Sequence, residues 1–440
     1  MKKQIFYIII TLFFIGCNDD LPIDKTITIS SIIVENASKD ALVANVLFNT
    51  NQAVSGIILY WNINELESTA KQSIIGSKTT SHTIPLLNLS ESSTYNYRIK
   101  WQENDDVSDI KSFTTSAVPL FVKEFYNQAD NVISEENEGY FLFHNKVLPA
   151  CMIVVDNTGK MIWYRTSENK IQMARVTVKG TLLTIEDDLN NNFATGNMLI
   201  ESAFGGEIIS KLKKDTADVN HYFHHDAIFD ENGNSVVLTE VEVGGLPGEG
   251  VEVFNPNGQK IWEWNSFDGS EVPQTYVQPW ANSISIDNQG DYIVSFRGIS
   301  QIWKIDSTSG NVIWKLGTGG DYTLDGNASF LYQHYASEFE NGKILMFDNG
   351  GVTERPTSRL LELSLDDTAM TAITTKSHYL SSQYFSPYMG SVKIMNNNDM
   401  LIASATNGKI LMLNSNGSLK WELSTVGKIY RVEHFTGLFN

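Results

Sequence analysis

Lysine and arginine are scarce in this chain, 32 against 51 aspartates and glutamates over 440 residues, for a net charge of −19. Binding a phosphate backbone takes clustered cations, so nucleic acid is excluded as a partner. Cysteine is nearly absent, with only Cys17 and Cys151, so no disulfide framework holds the fold. Long apolar runs are missing too. The N-terminal run Ile5–Ile15 is too short to cross a bilayer as a mature helix. Charged residues reach only 19%, and long helices are not expected. What is abundant is Asn, Gly, Ser, Thr and aromatic side chains, above a 42% apolar fraction that suffices for a core. That is the profile of a turn-rich all-β protein. The length allows two to four domains, or one small and one large.

Lys2 and Lys3 precede the apolar run, which ends in Phe14-Ile15-Gly16-Cys17. This resembles a bacterial lipoprotein cleavage box, and implies a signal peptide over 1–17 with Cys17 as the lipidated residue. An ordinary signal peptide with a chance cysteine is the alternative. A polar tether over 18–26 follows. Its Asn18-Asp19-Asp20 start resembles that of surface-exported lipoproteins, so the expected location is periplasmic, outer-membrane-anchored or on the cell surface. Cys151 lies in the apolar run Ala150–Val155 and reads as a buried, inert thiol.

Over 27–117, short alternating runs such as Ile27–Ile33, Ala44–Phe48 and Ile57–Trp61 are separated by polar turns, which predicts a β-sandwich. Leu87-Asn88-Leu89, Thr94-Tyr95-Asn96-Tyr97 and Phe113-Thr114-Thr115 are similar to the closing strands of fibronectin type III-like domains. No catalytic constellation falls in this segment, which reads as a spacer or docking domain.

A longer rhythm runs over 118–440. Asp156-Asn157-Thr158-Gly159 leads to Trp163, and the pattern of Asx, Gly and Trp returns at Trp262, Trp314 and Trp421. The tryptophans are 99, 52 and 107 residues apart, close to two, one and two units of roughly 50. Units lacking the tryptophan are expected near Ile208–Leu212 and Thr368–Thr374. The period predicts a β-propeller of six blades, with seven as the competitor. The last strand, around Lys428–Phe435, is expected to pair with the first blade. A second series, at Asp230-Glu231-Asn232-Gly233, Asp287-Asn288-Gln289-Gly290 and Glu340-Asn341-Gly342, marks the hairpins between the inner strands. The residues before those hairpins should approach the central channel.

Three clusters occupy such places. They are His221-Tyr222-Phe223-His224-His225-Asp226, Pro279-Trp280-Ala281-Asn282-Ser283-Ile284 and Tyr332-Gln333-His334-Tyr335-Ala336, with Arg297 on the strand after the second. Taken singly, each histidine reads as a structural residue, and Arg297 as the partner of a blade carboxylate. His224-His225-Asp226 lacks a Cys or Glu cluster to complete a metal shell, so no metal is assigned. Their joint occurrence at repeat-related positions points to a site.

These residues resemble the bacterial arylsulfate sulfotransferases. The likeness rests on His224-His225-Asp226, Ala281-Asn282-Ser283-Ile284, Ser295-Phe296-Arg297, Gln333-His334, Phe347-Asp348-Asn349-Gly350, Ser358–Leu363 and Phe385–Ser391. The resemblance implies a six-bladed propeller behind a small sandwich. It also implies sulfuryl transfer from an aryl sulfate donor to a phenolic acceptor, with no cofactor and no nucleotide sulfate. His334 falls on the family's transiently sulfated nucleophile. Arg297 and one of His224 and His225 fall on sulfate-binding positions, His225 being preferred, and Asn282 falls on the family's Asn. Trp280 stands where the family pattern has a histidine, which puts the efficiency, the substrate or the activity itself in question.

A neutral imidazole is a nucleophile near pH 7. Arg297 can grip two sulfuryl oxygens, and a histidine at 224 or 225 can protonate the departing phenolate. Tyr222, Trp280, Tyr335 and Tyr388 are candidates for stacking on an aryl ring. The competing reading is a non-catalytic propeller lipoprotein that binds a sulfated or aromatic ligand or a protein partner. Homodimerisation is left open.

Overall fold

Asx-Gly turns set the architecture. In the computed structural model, which describes residues 26–36, 41–133, 138–189, 195–267, 279–339 and 342–437, the Asp156 carboxylate accepts from the backbone N–H groups of Thr158 and Lys160 at 2.9 and 3.0 Å. Asn255 and Asn414 repeat the arrangement at their own turns. Such side-chain caps close tight hairpins between strands, and the chain accordingly folds into antiparallel sheets.

Residues 29–114 form two of them. Ile29–Asn36, Ala44–Val54 and Thr79–Leu86 make a three-stranded sheet, which faces a four-stranded sheet of Lys71–Gln72, Gly56–Asn62, Thr94–Trp101 and Lys111–Thr114. Every second side chain of Thr94–Trp101 is buried, as a strand with one face on a core requires. Phe48, Tyr60, Tyr95, Trp101 and Phe113 fill the space between the sheets. The sandwich is docked on the rest of the molecule. The Ala41 N–H donates to the Tyr164 hydroxyl at 2.7 Å, and Asn45 Nδ2 donates to the Gly205 carbonyl at 3.0 Å.

The remaining strands form six sheets, the blades of a propeller. Their inner long strands are, in order, Glu433–Phe435, Lys170–Val176, Phe223–Phe229 (edged by the two-residue strand Thr195–Gly196), Ala281–Ile286, His334–Phe339 and Ser391–Ile394. Trp163, Trp314 and Trp421 are buried on outer strands. The outer strands Ile208–Lys213 and Thr371–Tyr379 occupy the two places where the tryptophan is missing. The C-terminal strand Glu433–Phe435 pairs with Tyr140–Leu142 of blade 1, as the sequence predicts, and Val132–Ile133 extends the outer edge of blade 6. Blade 6 also packs on blade 1, with the Phe141 and Trp421 rings 4.6 Å apart in one shared core. Cys151 belongs to that core, and burial pushes its thiol up to about 12, so it stays protonated and unreactive. Cys17 and the expected signal peptide lie outside the described residues.

Candidate active site

One mouth of the propeller collects the starts of the innermost strands and the ends of the strands next to them. Each of three innermost strands is irregular there. The ladder slips between Phe223 and Ala227, between Ala281 and Ser283, and between His334 and Ser337. Bulges of this kind re-aim side chains and gather next to active sites. Counted back from the last paired residues Phe229, Ile286 and Phe339, His225, Asn282 and Tyr335 are equivalent, and His334 stands one place earlier. Strict rotation of the repeat would therefore have put Tyr335 beside the other two. The bulge decides which side chain is presented. His225, Trp280, Tyr332, Tyr335 and Met389 all have φ between 53° and 59°, a region that side chains other than glycine adopt at a cost and that clusters at functional sites.

His334 is almost completely buried. Asn349 donates both amide hydrogens to carbonyls, to Ser386 at 2.7 Å and to Met389 at 2.8 Å, so its Oδ1 is left facing His334 Nδ1 at 2.7 Å. That fixes the tautomer, with the ring proton on Nδ1 and the lone pair on Nε2. The Tyr332 carbonyl also faces Nδ1, at 3.1 Å. Nε2 accepts from the Met389 N–H at 3.1 Å. The turn that presents this amide needs Gly390 (φ 107°), where a Cβ would meet Phe347 and the Ala403 carbonyl. Burial drives the imidazolium pKa down to about 3, and the Arg297 charge adds to this against the opposing hydrogen bond with Asn349. His334 is therefore neutral near pH 7.

Arg297 lies between two rings, with the Trp280 centroid 5.3 Å and the Tyr332 centroid 5.1 Å from its guanidinium carbon. No carboxylate of a described residue pairs with it, and its buried Nε has no partner. An arginine held by π-faces and left without a counter-ion is prepared for an anion. Lys146, at the rotation-related strand end in blade 1, also lacks a carboxylate among the described residues. Its ammonium sits 4.4 Å from the Tyr430 centroid. Burial and the nearby Arg431 lower its pKa to about 8.

The two adjacent histidines differ in role. His224 is buried, with Nε2 3.0 Å from Glu249 Oε2, an ion pair without an aligned hydrogen bond. Its Nδ1 is 3.0 Å from His225 Nδ1. His225 is the partly exposed one of the two, and burial together with the charges of His224 and Lys146 opposes its protonation. The Arg431 guanidinium holds the His225 carbonyl at 2.8 Å.

The other candidates are distributed unevenly. Asn282 is buried behind the mouth, where its amide donates to the Gln333 carbonyl at 2.7 Å and so braces the residue before His334. Tyr335 points along the channel, 3.4 Å from both Glu433 oxygens and under Arg431. There Asp226, fully buried, is paired with Arg431 at 2.9 Å and Arg175 at 3.3 Å. Tyr388 is at the rim under Lys428, and Tyr222 lies beside Lys214. Asn349, Glu249, Lys146, Tyr332 and Arg431 carry much of the geometry without standing out in the sequence as site candidates. Tyr332 and Asn349 do lie inside the motifs Tyr332-Gln333-His334 and Phe347-Asp348-Asn349-Gly350. Glu249, Lys146 and Arg431 stand outside every cluster and carry no local signal.

The profile of the arylsulfotransferase (ASST) family matches residues 150–426. No curated protein matches the chain. Among solved structures, the chain is similar to a protein of unknown function from Bacteroides caccae, at 12% identity and TM-score 0.46, covering 67% of this chain and 98% of that one. It is also similar to virginiamycin B lyase from Staphylococcus aureus, at 11% identity and TM-score 0.38, covering 66% and 87%.

Proposed function

We propose, because this chain belongs to the arylsulfotransferase family, that it moves a sulfuryl group from an aryl sulfate to a phenol through a covalent intermediate on His334. The observation that carries this reading is His334 itself. It is a buried, neutral imidazole whose tautomer Asn349 fixes, beside an arginine that has no counter-ion.

In this mechanism the Nε2 lone pair attacks sulfur in line with the aryl oxygen. The N–S bond forms as the S–O bond breaks, and the electron pair leaves on the phenolate. The ring becomes cationic, and its Nδ1–H bond to Asn349 strengthens. Arg297 holds sulfuryl oxygens, where charge accumulates in the transition state. The Met389 N–H, which Nε2 occupies at rest, is freed to donate to a sulfuryl oxygen once the N–S bond exists. A phenol then attacks the sulfur from the vacated side and regenerates His334. Trp280, 43% exposed over Arg297, would stack on the aryl ring of a donor.

The test is turnover of 4-nitrophenyl sulfate with and without an added phenol, and mass analysis of the His334 peptide after donor alone. Acceptor-dependent nitrophenolate release and a sulfuryl adduct on His334 are expected. Absence of both would sink the reading. We further propose export of the chain and anchoring through lipidated Cys17.

A further inference from the structure

We propose that Glu249, His224 and His225 form a proton relay, which protonates the departing phenolate and accepts the proton of the incoming phenol. The proposal rests on the sulfotransferase reading above and assigns this site its acid–base machinery.

Geometry orders the three groups. Glu249 is only 2% exposed, and a buried carboxylate requires a cation or several donors. Among the described residues it has the Trp280 N–H, at 3.0 Å from Oε1, and the His224 ring, at 3.0 Å from Oε2. His224 is therefore its counter-ion, protonated on both nitrogens. With Nδ1 of His224 and Nδ1 of His225 3.0 Å apart, a single proton lies between them. That proton belongs to His224, so His225 accepts on Nδ1 and carries its own hydrogen on Nε2. The Nε2 of His225 has no hydrogen-bond partner among the described residues, and the ring is on the partly exposed side of the pair.

The electrostatics agree with this order. Burial works against charge on His224, but Glu249, Glu240 and the Thr239 carbonyl outweigh it and raise its pKa. His225 is held well below its ordinary value by burial and by the charges of His224, Lys146 and Arg431. Two titratable groups in contact with pKa values pushed apart mark an acid and its conduit.

The step balances. As the S–O bond breaks, His225 gives its Nε2 proton to the phenolate oxygen and takes the Nδ1 proton of His224. Both rings end neutral, and His224 keeps its Nε2 proton beside Glu249. In the second half-reaction the phenol proton enters at His225 Nε2, and the Nδ1 proton returns to His224. The relay shares the site with a nucleophile that stays unprotonated, so acid and nucleophile coexist at one pH.

The experiment compares donors of different leaving-group basicity in the full-length protein. Glu249→Gln keeps the size of the side chain and an acceptor for the Trp280 N–H but removes the charge that holds the relay proton. Turnover of phenyl sulfate, a poor leaving group, should fall by roughly 30-fold or more, and that of 4-nitrophenyl sulfate by about threefold or less. The alkaline limb of the phenyl sulfate pH profile should move to lower pH. His224→Gln should show the same split, and serves if Glu249→Gln does not fold. Equal losses on both donors, with an unmoved pH profile, would overturn the relay and leave the transferase intact. No sulfuryl transfer by the wild type on either donor would overturn the reading beneath it.

Discussion

At the scale of single residues, one side-chain amide governs the chemistry of one imidazole. Asn349 can face His334 only with its oxygen, since its two hydrogens are bound to the Ser386 and Met389 carbonyls. Asn349→Ala should lower kcat by tenfold or more while donor KM changes little, because the imidazolium formed in the transfer step loses its shortest Nδ1 acceptor and keeps only the Tyr332 carbonyl. Steady-state kinetics on 4-nitrophenyl sulfate check this. Lys146→Met should instead raise donor KM by about three- to tenfold and spare kcat, since it removes a cation without touching His334.

The buried histidines also set acid stability. His144 and His334 titrate near 6.5 when unfolded but near 3 when folded, burial being the first cause for each. The unfolded chain thus binds protons first. Stability is full above about pH 6.5 and is lost as pH falls through that window, at about 1.4 kcal/mol per pH unit for each histidine. Urea titrations from pH 7 to 4 should show this fall, and His144→Leu should make it shallower.

At the scale of elements, the irregular start of an innermost strand matters more than its regular part. Many of the paired segments are ordinary ladders joined by Asx-Gly turns, and those turns can be read in the sequence because Asn, Asp and Gly have local reasons to be there. The bulges could not be read. His334 and Tyr335 are neighbours, and only the slip between His334 and Ser337 directs one to Asn349 and the other to Glu433. By the same limit, the sequence offers Tyr335 as a stacking aromatic, while Tyr332, two residues before His334, is the ring on Arg297. The C-terminal strand tests the element scale. Its neighbour Arg431 is buried against Asp226 and spans blade 1 to blade 3. Arg431→Leu should destabilise the fold by about 3–5 kcal/mol, as breaking a buried ion pair does, which denaturant unfolding would measure.

At the scale of the whole molecule, a protein of net charge −19 binds an anion only where cations are gathered locally. Blades 1 and 4 supply Lys146 and Arg297 to the mouth, both without carboxylate partners among the described residues. The net charge therefore says nothing about the substrate, and the local balance says a good deal. The proposed anchor belongs to this scale as well. Cys17→Ser should move the protein from the membrane fraction to the soluble fraction without changing transfer kinetics, which fractionation with activity assays would check.

Composition and turn chemistry by themselves determined the all-β class, the roughly 50-residue unit and the return of the last strand to the first blade, because those depend on local propensities and on spacing along the chain. Sequence order also named His334, Arg297 and the pair His224 and His225. What only the tertiary structure decided is who touches whom. Glu249 reaches His224 from a different strand, Asn349 orients His334 across a hairpin, and Lys146 and Arg431 enter from the two ends of the propeller's chain. Proton positions and charge states follow from those distances and from burial, and neither is written in the order of residues.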